Sequence, residues 1–198
     1  MSGVALIIAS VIGVPLGAAL ALHPVPGQKF IELLIYTGMG LPPVVVGLLV
    51  YLLLSQSGPF GFLSWLFTPA AMIAAQVIIA LPLVIGLTMS AVAAVDPTLH
   101  LQVRALGATS TQVMWTVLAE SRSGVVAAIV AAFGGIISEV GAVMLVGGNI
   151  EGSTRVLTTA IVLETRQGNF ELALMLGGVL LALAFFSNLM LVRLSGRR

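Results

Sequence analysis

Few side chains in this sequence could act on a substrate, and the first to weigh is Glu139, a carboxylate inside a long apolar block. A charged carboxylate at mid-bilayer costs roughly 3 kcal/mol on insertion scales, so it must face a bundle interior or water. Two roles fit it. It can hold its own helix against a neighbour, protonated or paired, or it can shape a translocation path as a latch that breaks and reforms. A negative group repels an anionic cargo, which argues against Glu139 as a direct ligand of one. Cysteine is absent, which excludes disulfides, thiolate metal sites and a cysteine nucleophile. The single lysine, Lys29, follows Gln28, whereas a phosphate-cradling loop needs Gly-Lys-Ser/Thr. If ATP drives this chain, the nucleotide and its Mg2+ therefore sit on another subunit, and no cofactor or metal is expected here. His-Glu-x-x-His, Gly-x-Ser-x-Gly and paired aspartates are missing, and His23 and His100 fall at the edges of apolar blocks. An intramembrane enzyme has little to work with.

The elements that must position these residues are membrane helices. The chain is 59% apolar and 8% charged, with a mean hydropathy of +1.17; a soluble domain carries about 25% charged residues. The fold class is therefore all-α integral membrane protein, as a single domain over 1–198. A spanning helix takes about 20 apolar residues. Five blocks qualify, at about 4–22, 31–54, 69–95, 124–146 and 170–192. The first could instead be a signal peptide ending near Ala21, although it lacks the positive start of such peptides. With a net charge of +1 and no basic run, nucleic acid finds no footprint.

Arginine and lysine gather on cytoplasmic connections. Lys29, Arg104, Arg122, Arg193, Arg197 and Arg198 against Arg155 and Arg166 put the N-terminus outside and the C-terminus in the cytoplasm. Segment 96–123 is then cytoplasmic and 147–169 external. The uncharged connection Ser55–Thr68 agrees with an external position.

Gly13 and Pro15, Gly38 through Pro43, Pro82 and Gly134-Gly135 fall inside these blocks. Small residues let helix backbones approach, and prolines remove donors that a neighbour must replace. The adjacent prolines Pro42 and Pro43 predict an interruption, and interrupted spans line cavities or pathways. Pro42, Pro43, Ser138, Glu139, Thr158 and Thr159 are the candidate path or gate residues.

Segment 96–123 reads as a helical elbow. Asp96-Pro97 is a helix start, with an acidic N-cap and a proline at the first helical position. Leu99, Val103 and Leu106 recur at one-face spacing, and Gly107 suits the left-handed residue that ends a helix. Thr109 and Gln112 form a capping-box pair for a second helix. In it Val113, Met114, Val117 and Leu118 share a face, and Trp115 is a candidate interface anchor. The elbow is either an interfacial hairpin on lipid headgroups or a docking knob for a soluble partner.

In the external segment, Ser153 or Thr154 is a candidate cap for a short helix running to Arg166. Leu157, Ala160 and Ile161 would lie on one face, with Thr158, Thr159 and Thr165 on others. Hydroxyls and a helix start suit a passing anion. Glu151, Arg155, Glu164 and Arg166 are candidates for a docking surface, where exposed charges set orientation.

Arg104-Ala105-Leu106-Gly107-Ala108 resembles the cytoplasmic loop of ATP-binding-cassette importer permeases. It keeps the Leu-Gly-Ala portion and has Leu101-Gln102-Val103 where the family has Glu-Ala-Ala. Leu41-Pro42-Pro43-Val44-Val45-Val46-Gly47 resembles the second span of molybdate and tungstate permeases. Ile137-Ser138-Glu139-Val140-Gly141-Ala142, Gly147-Gly148-Asn149-Ile150 and the run Thr154–Ile161 resemble their fourth span and external loop. The continuation Val162–Leu174 is closer to the tungstate branch. The resemblance implies a type I permease fold and a homodimer working with two ATPase subunits and an external oxyanion-binding protein. It implies that Leu99, Val103, Arg104, Ala105, Leu106, Gly107 and Ala108 couple to the ATPase. Family members usually carry more chain before the first span, which suggests a late start. A molybdate or sulfate permease, or a transporter driven by an ion gradient, is the competing function.

Overall fold

The computed structural model describes residues 1–23 and 25–195; Arg197 and Arg198 of the charge argument lie outside them. The described residues form helices and loops, with no strand among them. The centre is α4 (Pro69–Ala93), apolar along its length and started by a proline at its first position. Against it lies α1 (Ser2–Leu22). Their backbones meet because α1 presents glycines: a Cβ on Gly17 would lie 2.6 Å from the Ile85 carbonyl oxygen. Pro15 and Pro82 are accommodated within continuous helices, and the Pro82 ring packs against Gly38.

The block expected as one span over 31–54 is two helices. α2 (Gln28–Met39) and α3 (Pro43–Leu54) meet at an angle of 100°. Pro42 and Pro43 lack the N–H groups needed to continue the ladder, so the chain stops at Gly40 and restarts with Pro43 at N1. The elbow follows as α5 (Pro97–Ala105) and α6 (Ser110–Glu120).

α7 (Arg122–Ile137) leaves α6 at 74°. It begins before the expected boundary at Gly124 and ends inside the expected span. Ser138, Glu139 and Val140 interrupt it before the short α8 (Gly141–Gly147). At 16 residues α7 is about 24 Å long. Next come α9 (Leu157–Arg166) and α10 (Phe170–Ser195). By length and composition, three described helices suffice to cross a membrane, or five if each bent pair counts as one.

Three apolar clusters organise the bundle. One joins Val46, Val50 and Leu54 of α3 to Met72 of α4 and Val143 and Val146 of α8. The second joins Ala5 and Ala9 of α1 to Val84 of α4 and Phe133 and Ile136 of α7. The third seats the elbow: Val113, Val117 and Leu118 pack with Ala18 of α1 and Val92 of α4.

Candidate functional site: a capped elbow joined to a paired helix break

The elbow is built as its residue types require. Asp96 accepts the Thr98 N–H at 2.8 Å, and this bond with the Thr98 hydroxyl holds its carboxyl below the ordinary carboxylate value. Gly107 has φ +84°, a conformation in which a Cβ is strained. The Thr109 hydroxyl accepts the Gln112 N–H, and the Gln112 side chain accepts the Thr109 N–H at 2.8 Å. Leu99 and Val103 are half-buried against the third cluster, with Ala108 beside them.

Leu106 does not share their face. It is the C-cap of α5 and 87% exposed, because the chain leaves helical geometry there before the left-handed glycine. Leu101, 70% exposed, and Trp115, 57% exposed, join it on the outward side. Arg104 and Ala105 are exposed as well. One face of the elbow therefore grips the bundle while the other presents bulky apolar side chains.

α7 runs from the elbow to the second feature. There the two interrupted helices restart side by side: a Cβ on Gly141, the first residue of α8, would lie 2.5 Å from Cγ2 of Val44, next to the first residue of α3. Further along, Gly47 of α3 lies against Ala142 of α8. Interrupting a buried helix orphans backbone groups that lipid cannot satisfy. Local side chains take them up. The Ser138 hydroxyl donates to the Gly134 carbonyl at 2.8 Å. The half-buried Glu139 carboxylate, one residue before the Val140 N-cap, accepts the Ala142 N–H in the first turn of α8 at 2.9 Å. The buried Thr158 hydroxyl donates to the Glu139 carbonyl at 3.2 Å. At the far end of α8, Phe67 takes φ +62°, rare for a bulky residue, and donates its N–H to the Val146 carbonyl at 2.8 Å.

Pro42, Pro43, Ser138, Glu139 and Thr158 thus belong to the two breaks and their bracing. Thr159 is fully buried, and its hydroxyl is spent on its own helix start, accepting the Val156 N–H at 3.0 Å. Ser153 and Thr154 do not cap α9, whose N-cap is Val156. Thr154 instead closes the preceding loop, donating to the Gly147 carbonyl and accepting the Ile150 N–H. On α9 Thr158 and Thr159 are buried, Leu157, Ala160 and Ile161 are half-buried and Thr165 is exposed; the two buried threonine hydroxyls serve the break and the helix start.

The four charges expected on the external segment separate into two pairs. Arg155 and Glu151 form an ion pair at 3.3 Å before α9 and border a cavity of about 590 Å³ with Glu139 and Thr158. Glu164, which accepts the Asn169 amide at 2.8 Å, and the exposed Arg166 lie at the other end of α9, about 15 Å along a ten-residue helix. Among the described residues, no three His, Cys, Asp or Glu side chains come together to hold a metal. Sequence reasoning missed Gln76 of α4, which is buried and donates to the Ile136 carbonyl at 3.1 Å. Its signal was an amide in the otherwise apolar run Pro69–Leu87.

A bundle with a protruding, bundle-gripping elbow tied by one helix to a paired break is the architecture of a transport permease. Residues 13–198 match the model of the family described as the binding-protein-dependent transport system inner membrane component, and the chain belongs to that family. It is a multi-pass membrane permease component of an ATP-binding-cassette transporter, not an enzyme; ATP hydrolysis belongs to a separate subunit.

Within that class, the chain is 44% identical to a probable anion ABC transporter permease protein of Haloferax volcanii, over all of this chain and 87% of the relative. It is 38% identical to the tungstate uptake system permease protein TupB of Peptoclostridium acidaminophilum, over 95% of this chain and 82% of the relative. A molybdenum transport system permease protein, ModB of Escherichia coli, is 30% identical over 69% of this chain and 63% of its own length.

Proposed function

We propose that this chain pairs with a second copy to form the translocation path of an ATP-driven importer for an oxyanion, with tungstate as the leading cargo. Two ATPase subunits bind the cytoplasmic elbows, and an oxyanion-binding protein docks at the opposite end. The elbow carries this reading. Leu101, Leu106 and Trp115 are exposed on a unit whose other face is fixed to α1 and α4. Such exposure suits a partner groove, and the caps at Asp96 and Thr109 give the rigidity a lever needs. Force enters through α7 and reaches the break at Ser138–Val140, where α3 and α8 open or close the path. The tungstate assignment rests on the names of relatives that match most of the chain.

The sidedness has its own support. The ends of α1 and α4 share the third cluster with the elbow, and Gln28 reaches the Leu20 carbonyl at 3.4 Å. Lys29, Arg104 and Arg122 therefore gather at one end, which we assign to the cytoplasm. Glu151, Arg155, Glu164 and Arg166 are assigned to the binding-protein surface. The apolar outer side of α10, with Leu174, Leu181 and Phe186 exposed, is assigned to lipid or to the second copy.

Placing two glycines within Leu99–Leu106 tests the lever. The variant complex should hydrolyse ATP and import far less anion, and undiminished uptake would remove the lever. Import of radiolabelled tungstate challenged with molybdate and with sulfate tests the cargo; equal or stronger competition by either shifts the assignment to that anion.

A further inference from the structure

Gln76 occupies a position that packing alone does not call for. It sits on α4 between Met72 and Ala75, which belong to the cluster around α3 and α8, and Ala80 and Val84, which belong to the cluster around α1 and α7. It is 4% exposed. Its amide nitrogen donates to the Ile136 carbonyl at 3.1 Å and to the Ser2 hydroxyl at 3.0 Å. A carbonyl can only accept, so the bond to Ile136 settles which end of the amide faces it. Among the described residues its Oε1 has no hydrogen-bond partner. It borders the cavity shared with Ser2, Glu139 and Thr158, and its two donor bonds join α4 to the end of α7 and the start of α1.

They hold the far end of α7. That helix starts at the elbow with Arg122 and stops at Ile137, so its last carbonyls lose their helical donors. The Ser138 hydroxyl serves Gly134 and Gly135, and Gln76 serves Ile136, tying α7 to α4 and α1 at the level of the break. We propose that Gln76 is a positioning residue for the gate, fixing the end of α7 so that movement of the elbow is delivered to the α7–α8 break instead of being lost as slippage. The proposal rests on the reading of the break as the gate.

The test uses the complete complex, permease pair, ATPases and binding protein, in proteoliposomes. The quantity read is tungstate imported per ATP hydrolysed, with molybdate and sulfate as parallel probes. Gln76→Met keeps the volume and removes both donors. Hydrolysis should stay within about twofold of wild type, while import per ATP falls about fivefold or more, the worth of one of the two neutral hydrogen bonds lost. Gln76→His, which keeps an N–H donor, should recover much of the ratio.

An unchanged ratio in Gln76→Met overturns the proposal. So does a parallel fall of complex yield, hydrolysis and import, because a purely structural residue behaves that way. A ratio no better in Gln76→His than in Gln76→Met, with both complexes assembled, also overturns it. Wild-type vesicles that import none of the three anions with ATP would instead defeat the underlying reading, a result separable from any effect at residue 76.

Discussion

A single methyl group at position 47 tests whether α3 and α8 must stay in contact. Built on Gly47, a Cβ would lie 2.5 Å from the Ala142 Cα, 3.0 Å from its Cβ and 3.2 Å from its carbonyl oxygen. Ordinary contact begins near 3.4 Å, so Gly47→Ala must part the two helices by about 0.9 Å. No rotamer relieves this clash, because the opposing atoms include backbone. Overpacking of this kind costs about 1–3 kcal/mol, and replacing a helical glycine by alanine returns about 0.5–1 kcal/mol. The net loss should be on the order of 1 kcal/mol, between about 0 and 2.5 kcal/mol, read as a lower thermal midpoint of the purified complex. Because the displaced helices border both breaks, import should fall more than ATP hydrolysis. Gly134→Ala, in α7, is the matched comparison. A Cβ there meets nothing within 4 Å in the chain, so stability should hold or rise by up to about 1 kcal/mol. If Gly47→Ala proves as stable and active as wild type, or Gly134→Ala equally harmful, the close-contact argument is wrong.

Three further outcomes follow from the same geometry. Glu139→Ala removes the acceptor of the Ala142 N–H and should lower the thermal midpoint by the equivalent of about 1 kcal/mol; Glu139→Gln, which keeps a carbonyl oxygen, should lose less than half of that. Thr109→Ala removes half of the capping box of α6, costing about 1 kcal/mol. Amide exchange should quicken in the first turn of α6 while α4 stays protected. The Asp96 carboxyl is held low by Thr98, so its stabilising bond is complete above the ordinary carboxylate value. It is lost as pH falls through the lowered one. Exchange protection of the Thr98 amide should vanish on acidification in the wild type, and be weak at every pH in Asp96→Ala.

Local rules written in adjacent residues were legible without coordinates. Asp96-Pro97, Gly107 and Thr109 with Gln112 each act over one helical turn, so the elbow's two helices and hinge could be read from spacing alone. Pro42-Pro43 declared the first break for the same reason: it lies in the missing backbone donors themselves. The apolar blocks announced a membrane bundle because charge in hydrocarbon is costly wherever the helices settle. The second break had no such mark. Ser138-Glu139-Val140 is compatible with a continuing helix, and beside the local bonds of Ser138 and Glu139 the interruption depends on outside partners: Thr158 from α9, Gln76 from α4 and the close fit of Gly141 on Val44. The burial of Thr158 and Thr159 also depended on what lay opposite them. A turn's chemistry is contained in the turn, whereas a broken helix survives only if distant segments complete its hydrogen bonds, and that pairing exists only once the chain has folded.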